Sequence, residues 1–104
     1  MPDYIAGGAG NAALISFASS LGQEGIRHGV RVLAVCPGPI ATERMINLRR
    51  AWALKELGDA DRYQELPPRE RLGRPGTPEE VADLVVYLAS DRASYMSGIA
   101  IDIG

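Results

Sequence analysis

Val30-Arg31-Val32-Leu33-Ala34-Val35-Cys36-Pro37-Gly38-Pro39-Ile40-Ala41-Thr42 is the stretch whose reading decides the fold. Val30 to Cys36 is rich in β-branched and apolar residues and carries a single charge. Such a run predicts a strand, about 30–36, covered on both faces, as strands of parallel sheets are. Pro37, Gly38 and Pro39 end it abruptly, because proline has no N–H to offer a ladder. Upstream, Leu14, Phe17, Ala18 and Leu21 recur at the i, i+3, i+4, i+7 spacing of a buried helical face. The helix is expected over about 11–24, after the glycines at 7, 8 and 10 and stopping near Gly22 and Gly25, since glycine disfavours a helix interior by about 1 kcal/mol. Downstream, the stretch of about 43–71 is mixed in charge, with Met45, Leu48, Trp52, Leu54 and Leu57 at roughly helical spacing, and it reads as one or two amphipathic helices closed by Gly58 and Pro67-Pro68. Thr77-Pro78-Glu79-Glu80 is a helix-start signal, with a threonine cap, proline in the first helical position and acids in the positive first turn. It opens a helix of about 78–90 whose apolar face is Val81, Leu84, Val85 and Leu88, and a short strand of about 99–103 follows.

Helix, strand, charged insert, helix, strand is an α/β order that implies parallel pairing. Two strands covered on both faces do not make a sheet with an interior, so they read as core strands of something larger. The chain of 104 residues allows one domain at most. With 46% apolar and 23% charged residues it has an ordinary globular composition. A net charge of −2 gives no general attraction to nucleic acid or to anionic lipid, and no apolar run approaches the roughly 20 residues of a membrane helix. Met1 to Asn11 does not look like a signal peptide, and a cytoplasmic location is the default expectation. Cys36 is the lone cysteine, without an internal disulfide partner or a metal-ligand cluster, so no metal site is expected.

Two segments resemble the short-chain dehydrogenase/reductase family. Val32 to Thr42, VLAVCPGPIAT, is similar to its V-N-x-V-x-P-G-x-I-x-T segment, and Leu72 to Asp102, LGRPGTPEEVADLVVYLASDRASYMSGIAID, resembles its C-terminal signature. With Asn11-Ala12-Ala13-Leu14 the likeness covers nearly the whole chain. It implies the C-terminal part of a doubly wound, Rossmann-like parallel sheet, with the N-terminal nucleotide-binding half absent from the sequence. It further implies an oxidoreductase, dependent on NAD or NADP, acting on an alcohol/carbonyl pair. By the same resemblance, Pro37, Gly38, Ile40 and Thr42 lie beside the nicotinamide, with backbone groups near Ile40 and the Thr42 hydroxyl on its carboxamide. The alternative is that Pro-Gly-Pro only turns the chain out of the sheet. The insert corresponds to the family's substrate lid, in which Met45, Ile46, Trp52 and Leu57 either line an apolar pocket or merely pack the insert down. A homo-oligomer, dimer or tetramer, through the first helix and the last strand is implied as well.

One departure matters. The family sets a tyrosine and a lysine four residues apart in the first helix, as proton donor and as ribose ligand. Matching Asn11-Ala12-Ala13-Leu14 to the family's K-A-A-L puts Gly7 at the tyrosine position and Asn11 at the lysine position. Glycine has no proton to give, and a neutral amide cannot lower a phenol from about 10. Tyr4, seven residues before Asn11, is the candidate replacement acid/base, with Asn11 left to bind the ribose; otherwise Tyr4 is a surface or interface aromatic. Gly7-Gly8-Ala9-Gly10 lacks the strand and the spacing of a phosphate loop. The enzyme reading therefore competes with a catalytically impaired member kept for binding or assembly, and with a truncated remnant without activity.

Overall fold

The computed structural model describes residues 5–104, which form α1 (Ile5–Gly25), β1 (Leu33–Pro37), α2 (Glu43–Leu57), α3 (Pro78–Ala89) and β2 (Ile99–Ile103), with short 3-10 turns between them. The two strands are neighbours in one parallel sheet, as the α/β reading requires. The described residues divide into two compact units, one within residues 5–36 and 84–103, the other of residues 37–83 with Gly104.

In the first unit, α1 begins six residues earlier than the glycines suggested, so Gly7, Gly8 and Gly10 lie inside the helix. Glycine weakens a helix without forbidding it. With no proline between residues 5 and 11, a helix nucleated further on extends backwards at the gain of one hydrogen bond per residue. The expected buried face is also different. Ala18 is buried, but Leu14, Phe17 and Leu21 are exposed, and the inward stripe is made of Ala18, Gly22 and Gly25. Small residues let the helix backbone sit close to its neighbours. A Cβ on Gly22 would lie 2.5 Å from the Cα of Gly98, the residue that leads into β2 with φ of 72°. Ser97 stitches this approach: its Oγ accepts from the Val32 N–H (3.1 Å) and donates to the Gly22 carbonyl (3.3 Å). Arg31 does the same for the end of α3. Its guanidinium donates to the carbonyls of Leu88 (2.8 Å) in the last turn of α3 and of Ser90 (3.1 Å) and Ala93 (2.9 Å) in the turn that follows, the latter two also accepting from the backbone N–H groups of Ala93 and Met96. The strand starts at Leu33, three residues later than the apolar run, because Val30 closes the turn after α1 through its N–H to the Gly25 carbonyl (2.9 Å).

The second unit is built on α2. Thr42 caps its start and Gly58, with φ of 74°, its end. Residues 60–65 form a 3-10 turn that α2 holds through two arginines: Arg50 pairs with Asp61 (2.6 Å), and Arg49 donates to the Leu66 carbonyl (3.0 Å) and to Glu70 (3.3 Å). Ala53 and Leu66 are buried. Ile40 makes an isolated parallel bridge with Gly76, just ahead of a reciprocal cap on α3. There the Thr77 Oγ1 accepts from the Glu80 N–H and the Glu80 carboxylate accepts from the Thr77 N–H, each at 3.2 Å.

Candidate functional site

The chain leaves β1 at Pro37 and reaches α2 after a short connection, and this connection sets the site. Gly76 pins it from one side, accepting from the Ala41 N–H (2.8 Å) and donating to the Pro39 carbonyl (2.9 Å). Backbone groups alternate in direction along extended chain, so the Ile40 N–H is left facing away from Gly76. The Thr42 N–H then folds back onto the Ile40 carbonyl (2.8 Å), an i to i+2 turn of the kind common where strands end.

Thr42 is the N-cap of α2, its Oγ1 accepting from the Met45 N–H at 3.3 Å. A hydroxyl has one hydrogen and two lone pairs, and the cap uses one lone pair. The residue is exposed, so its O–H and second lone pair remain for a ligand. An outward N–H at Ile40 and a hydroxyl two residues on are a donor pair suited to an amide such as a nicotinamide carboxamide. On this chemistry the connection fits the nicotinamide end of NAD(P). Among the described residues no glycine-rich strand–turn–helix for a pyrophosphate occurs.

Gly38, Pro39, Ile40 and Thr42 form one wall of a groove of about 330 Å³. Met45, Leu48 and Trp52 of α2 supply its apolar side, and Arg44, Arg49, Arg69 and Glu70 its charged groups. The structure thus brings together Gly38, Ile40, Thr42, Met45 and Trp52, which the sequence divides between a cofactor loop and a lid. Pro37 ends β1 and is exposed, and it does not line the groove. Ile46, 39% exposed, is likewise outside the lining, its N–H engaged by the Thr42 carbonyl. Leu57 is the last residue of α2 and also lies outside the lining. Asn11 sits on α1, one helical turn after Gly7, so the two positions share a helix face. Tyr4 lies outside the described residues. Arg49 and Glu70, far apart in sequence, give no local signal there. Their side chains, 17% and 5% exposed, are joined only by the fold. Arg69 stacks over Trp52, its guanidinium carbon 4.1 Å from the ring centre, which fixes that ring as a groove wall.

The whole chain, residues 1–104, matches the family model described as enoyl-(acyl carrier protein) reductase. A probable 2,4-dienoyl-CoA reductase of Caenorhabditis elegans is 39% identical over 98% of the chain and 31% of its own length. An acetoacetyl-CoA reductase of Shinella zoogloeoides is 38% identical over 95% of the chain and 36% of its own length. Among solved structures, L-sorbose reductase from Gluconobacter frateurii, complexed with NADPH and L-sorbose, superposes with a TM-score of 0.72 at 33% identity, over 88% of this chain and 36% of that one. A short-chain type dehydrogenase/reductase from Mycobacterium marinum gives 0.64 at 37% identity, over 88% of this chain and 32% of that one. The chain spans about a third of the length of the relatives it matches. Motifs, parallel sheet and relatives agree, and the chain belongs to the short-chain dehydrogenase/reductase family.

Proposed function

We propose that this chain is the nicotinamide-loop and lid portion of an NAD(P)-dependent oxidoreductase that interconverts an alcohol and a carbonyl in a small substrate. The observation that carries the proposal is the shared groove, in which the donor pair of Ile40 and Thr42 borders the apolar side chains of Met45, Leu48 and Trp52. The nucleotide, when bound, supplies or takes the hydride. Thr42 and the Ile40 backbone hold the carboxamide, which fixes the ring face presented to the substrate and brings the reacting atoms to attack distance. Trp52, braced by Arg69, and Met45 keep water away from the substrate's apolar part. Asn11 remains the candidate ribose ligand and Tyr4 the candidate acid/base. The exposed Leu14, Phe17 and Leu21 on α1 support assembly of the whole protein as a homo-oligomer through that helix, with β2 as a second contact. A cytoplasmic location accords with the absence, among the described residues, of any helix long and apolar enough to cross a membrane.

The test is a fluorescence titration of the full-length protein with NADH and NADPH. Saturable binding is expected, weakened about tenfold by Thr42→Val, which removes one hydrogen bond to the carboxamide. Failure to bind either nucleotide sinks the proposal. Gly7 and Asn11 favour a second reading, in which the fold binds nucleotide without efficient turnover: losing a positioned acid/base costs about 10²–10⁴ in rate. Nucleotide binding at normal strength with no reduction of any carbonyl substrate would select it.

A further inference from the structure

The two hydrogen bonds from Gly76 straddle Ile40: one goes to the Pro39 carbonyl (2.9 Å), the other comes from the Ala41 N–H (2.8 Å). A residue held in this way in a parallel bridge turns its own N–H and carbonyl away from the bridging chain. The Ile40 carbonyl is taken by the Thr42 N–H (2.8 Å), which leaves the Ile40 N–H as the outward donor. The bridging segment is itself anchored on either side of Gly76. Arg74 donates to the Pro75 carbonyl (2.9 Å) and pairs through both terminal nitrogens with the Glu80 carboxylate (2.7 and 3.1 Å). That carboxylate also accepts from the Thr77 N–H (3.2 Å). A segment fixed at both ends serves as a template for the loop laid against it. Space, and not backbone conformation, calls for glycine at its centre. Gly76 is not among the glycines of positive φ, so its backbone would accept a side chain. A Cβ there, however, would lie 2.9 Å from the Ile40 Cδ1 and 3.8 Å from the Pro39 carbonyl oxygen. The Ile40 side chain thus occupies the place that a side chain at 76 would take.

We infer that Gly76 is a positioning residue for hydride transfer: it holds the Ile40 N–H, and with it the Thr42 hydroxyl, where they receive the nicotinamide carboxamide. The inference rests on the reading of this loop as the nicotinamide contact and names what sets the loop's geometry. Gly76 acts through Ile40 and touches neither nucleotide nor substrate. A single methyl group at 76 meets only the far end of a flexible side chain, which can turn aside. Valine brings two further carbons, and the Ile40 side chain cannot yield to them while its backbone stays in the bridge. The loop then moves off Gly76, and the Ile40 N–H moves with it. Hydride transfer requires the ring and the reacting carbon at attack distance, so a displacement of about 1 Å at the carboxamide is felt. A glycine kept for packing alone would instead affect stability, and all ligands alike.

The experiment measures calorimetric dissociation constants of the full-length protein for NADH and for ADP-ribose, which lacks the nicotinamide. NADPH and 2′-phospho-ADP-ribose take their place where the wild type prefers the phosphorylated pair. The wild type is expected to bind the intact nucleotide more tightly than the fragment. Gly76→Val is expected to weaken NADH by about five- to tenfold, the effect of losing one hydrogen bond, and to leave ADP-ribose within about twofold. Gly76→Ala is expected to shift the ratio of the two constants in the same direction and by less. Ile40→Ala keeps the backbone N–H and removes the obstructing carbons. Combined with Gly76→Val, it is expected to return the ratio to that of Ile40→Ala alone. A ratio unchanged in both Gly76 variants, an equal loss for the two ligands, or no recovery in the double variant overturns the inference. In each of these cases, NADH binding by the wild type leaves the oxidoreductase reading standing. A wild type that binds neither NADH nor NADPH overturns both.

Discussion

Replacing Gly22 by alanine puts a methyl group into a place where the structure has backbone. The new Cβ would sit 2.5 Å from the Gly98 Cα and 2.6 Å from its nitrogen, about 1 Å inside ordinary contact. No rotamer relieves this, since Gly98 has no side chain to move and its φ of 72° is already set by the turn into β2. The helix must therefore lift off the strand, which also stretches the hydrogen bonds from Ser97 to Gly22 and from Val32 to Ser97. Overpacking of this kind costs about 1–3 kcal/mol. The contact is backbone on backbone and two hydrogen bonds share in it, which places the cost at the upper end. Alanine returns about 1 kcal/mol of helix propensity. The net loss is about 2 kcal/mol, equivalent to a fall in Tm of no more than about 4–8 °C, the range for roughly 150–250 residues, in a protein of greater length. Thermal and urea denaturation of the full-length variant measures it, with Gly10→Ala as the control. Nothing lies within 4 Å of the site a Cβ would take on Gly10, so there only the propensity gain remains. A Gly22→Ala protein as stable as the wild type would refute the argument that close backbone approach selects glycine in α1.

Arg31→Lys keeps the charge but loses the fork that reaches three carbonyls. It is expected to cost about 2 kcal/mol and to speed hydrogen exchange of residues 90–96, and unchanged exchange there would show that Arg31 is not what holds this turn. The start of α3 is expected to be acid-sensitive. Hydrogen bonds from the Arg74 guanidinium and from the Thr77 N–H bring the Glu80 carboxyl from 4.5 down to about 2. A depressed carboxyl stabilises the fold above its unfolded value, and that contribution disappears as pH falls from about 4.5 through about 2. A carbon NMR titration of Glu80 should place its midpoint near the lower value in the wild type and move it upward in Arg74→Ala; an ordinary carboxylate midpoint in the wild type would contradict the cap.

The residues that sequence reasoning reaches most directly are those whose physics is local. Pro-Gly-Pro ends a strand wherever it falls, and Thr77-Pro78-Glu79-Glu80 satisfies helix-start donors from within four residues, as the reciprocal cap in the structure does. Thr42 is legible as a polar residue in the right motif, but its cap on α2 appears only in the fold. The apolar stripe of α1 misleads, because periodicity records which residues share a face and not which face turns inward. Here Ala18, Gly22 and Gly25 face inward, for close approach, while Leu14, Phe17 and Leu21 are exposed.

The amino-acid order alone determined the α/β class, the family and the loop at which a nicotinamide is expected, since these depend on short motifs and on the alternation of elements. The pairing of Arg49 with Glu70 and the bracing of Trp52 by Arg69 were decided only by tertiary structure. Each joins residues well separated in sequence through the fold of the 43–70 segment. The desolvation that gives such contacts their energetic weight does not exist until the chain has closed around them.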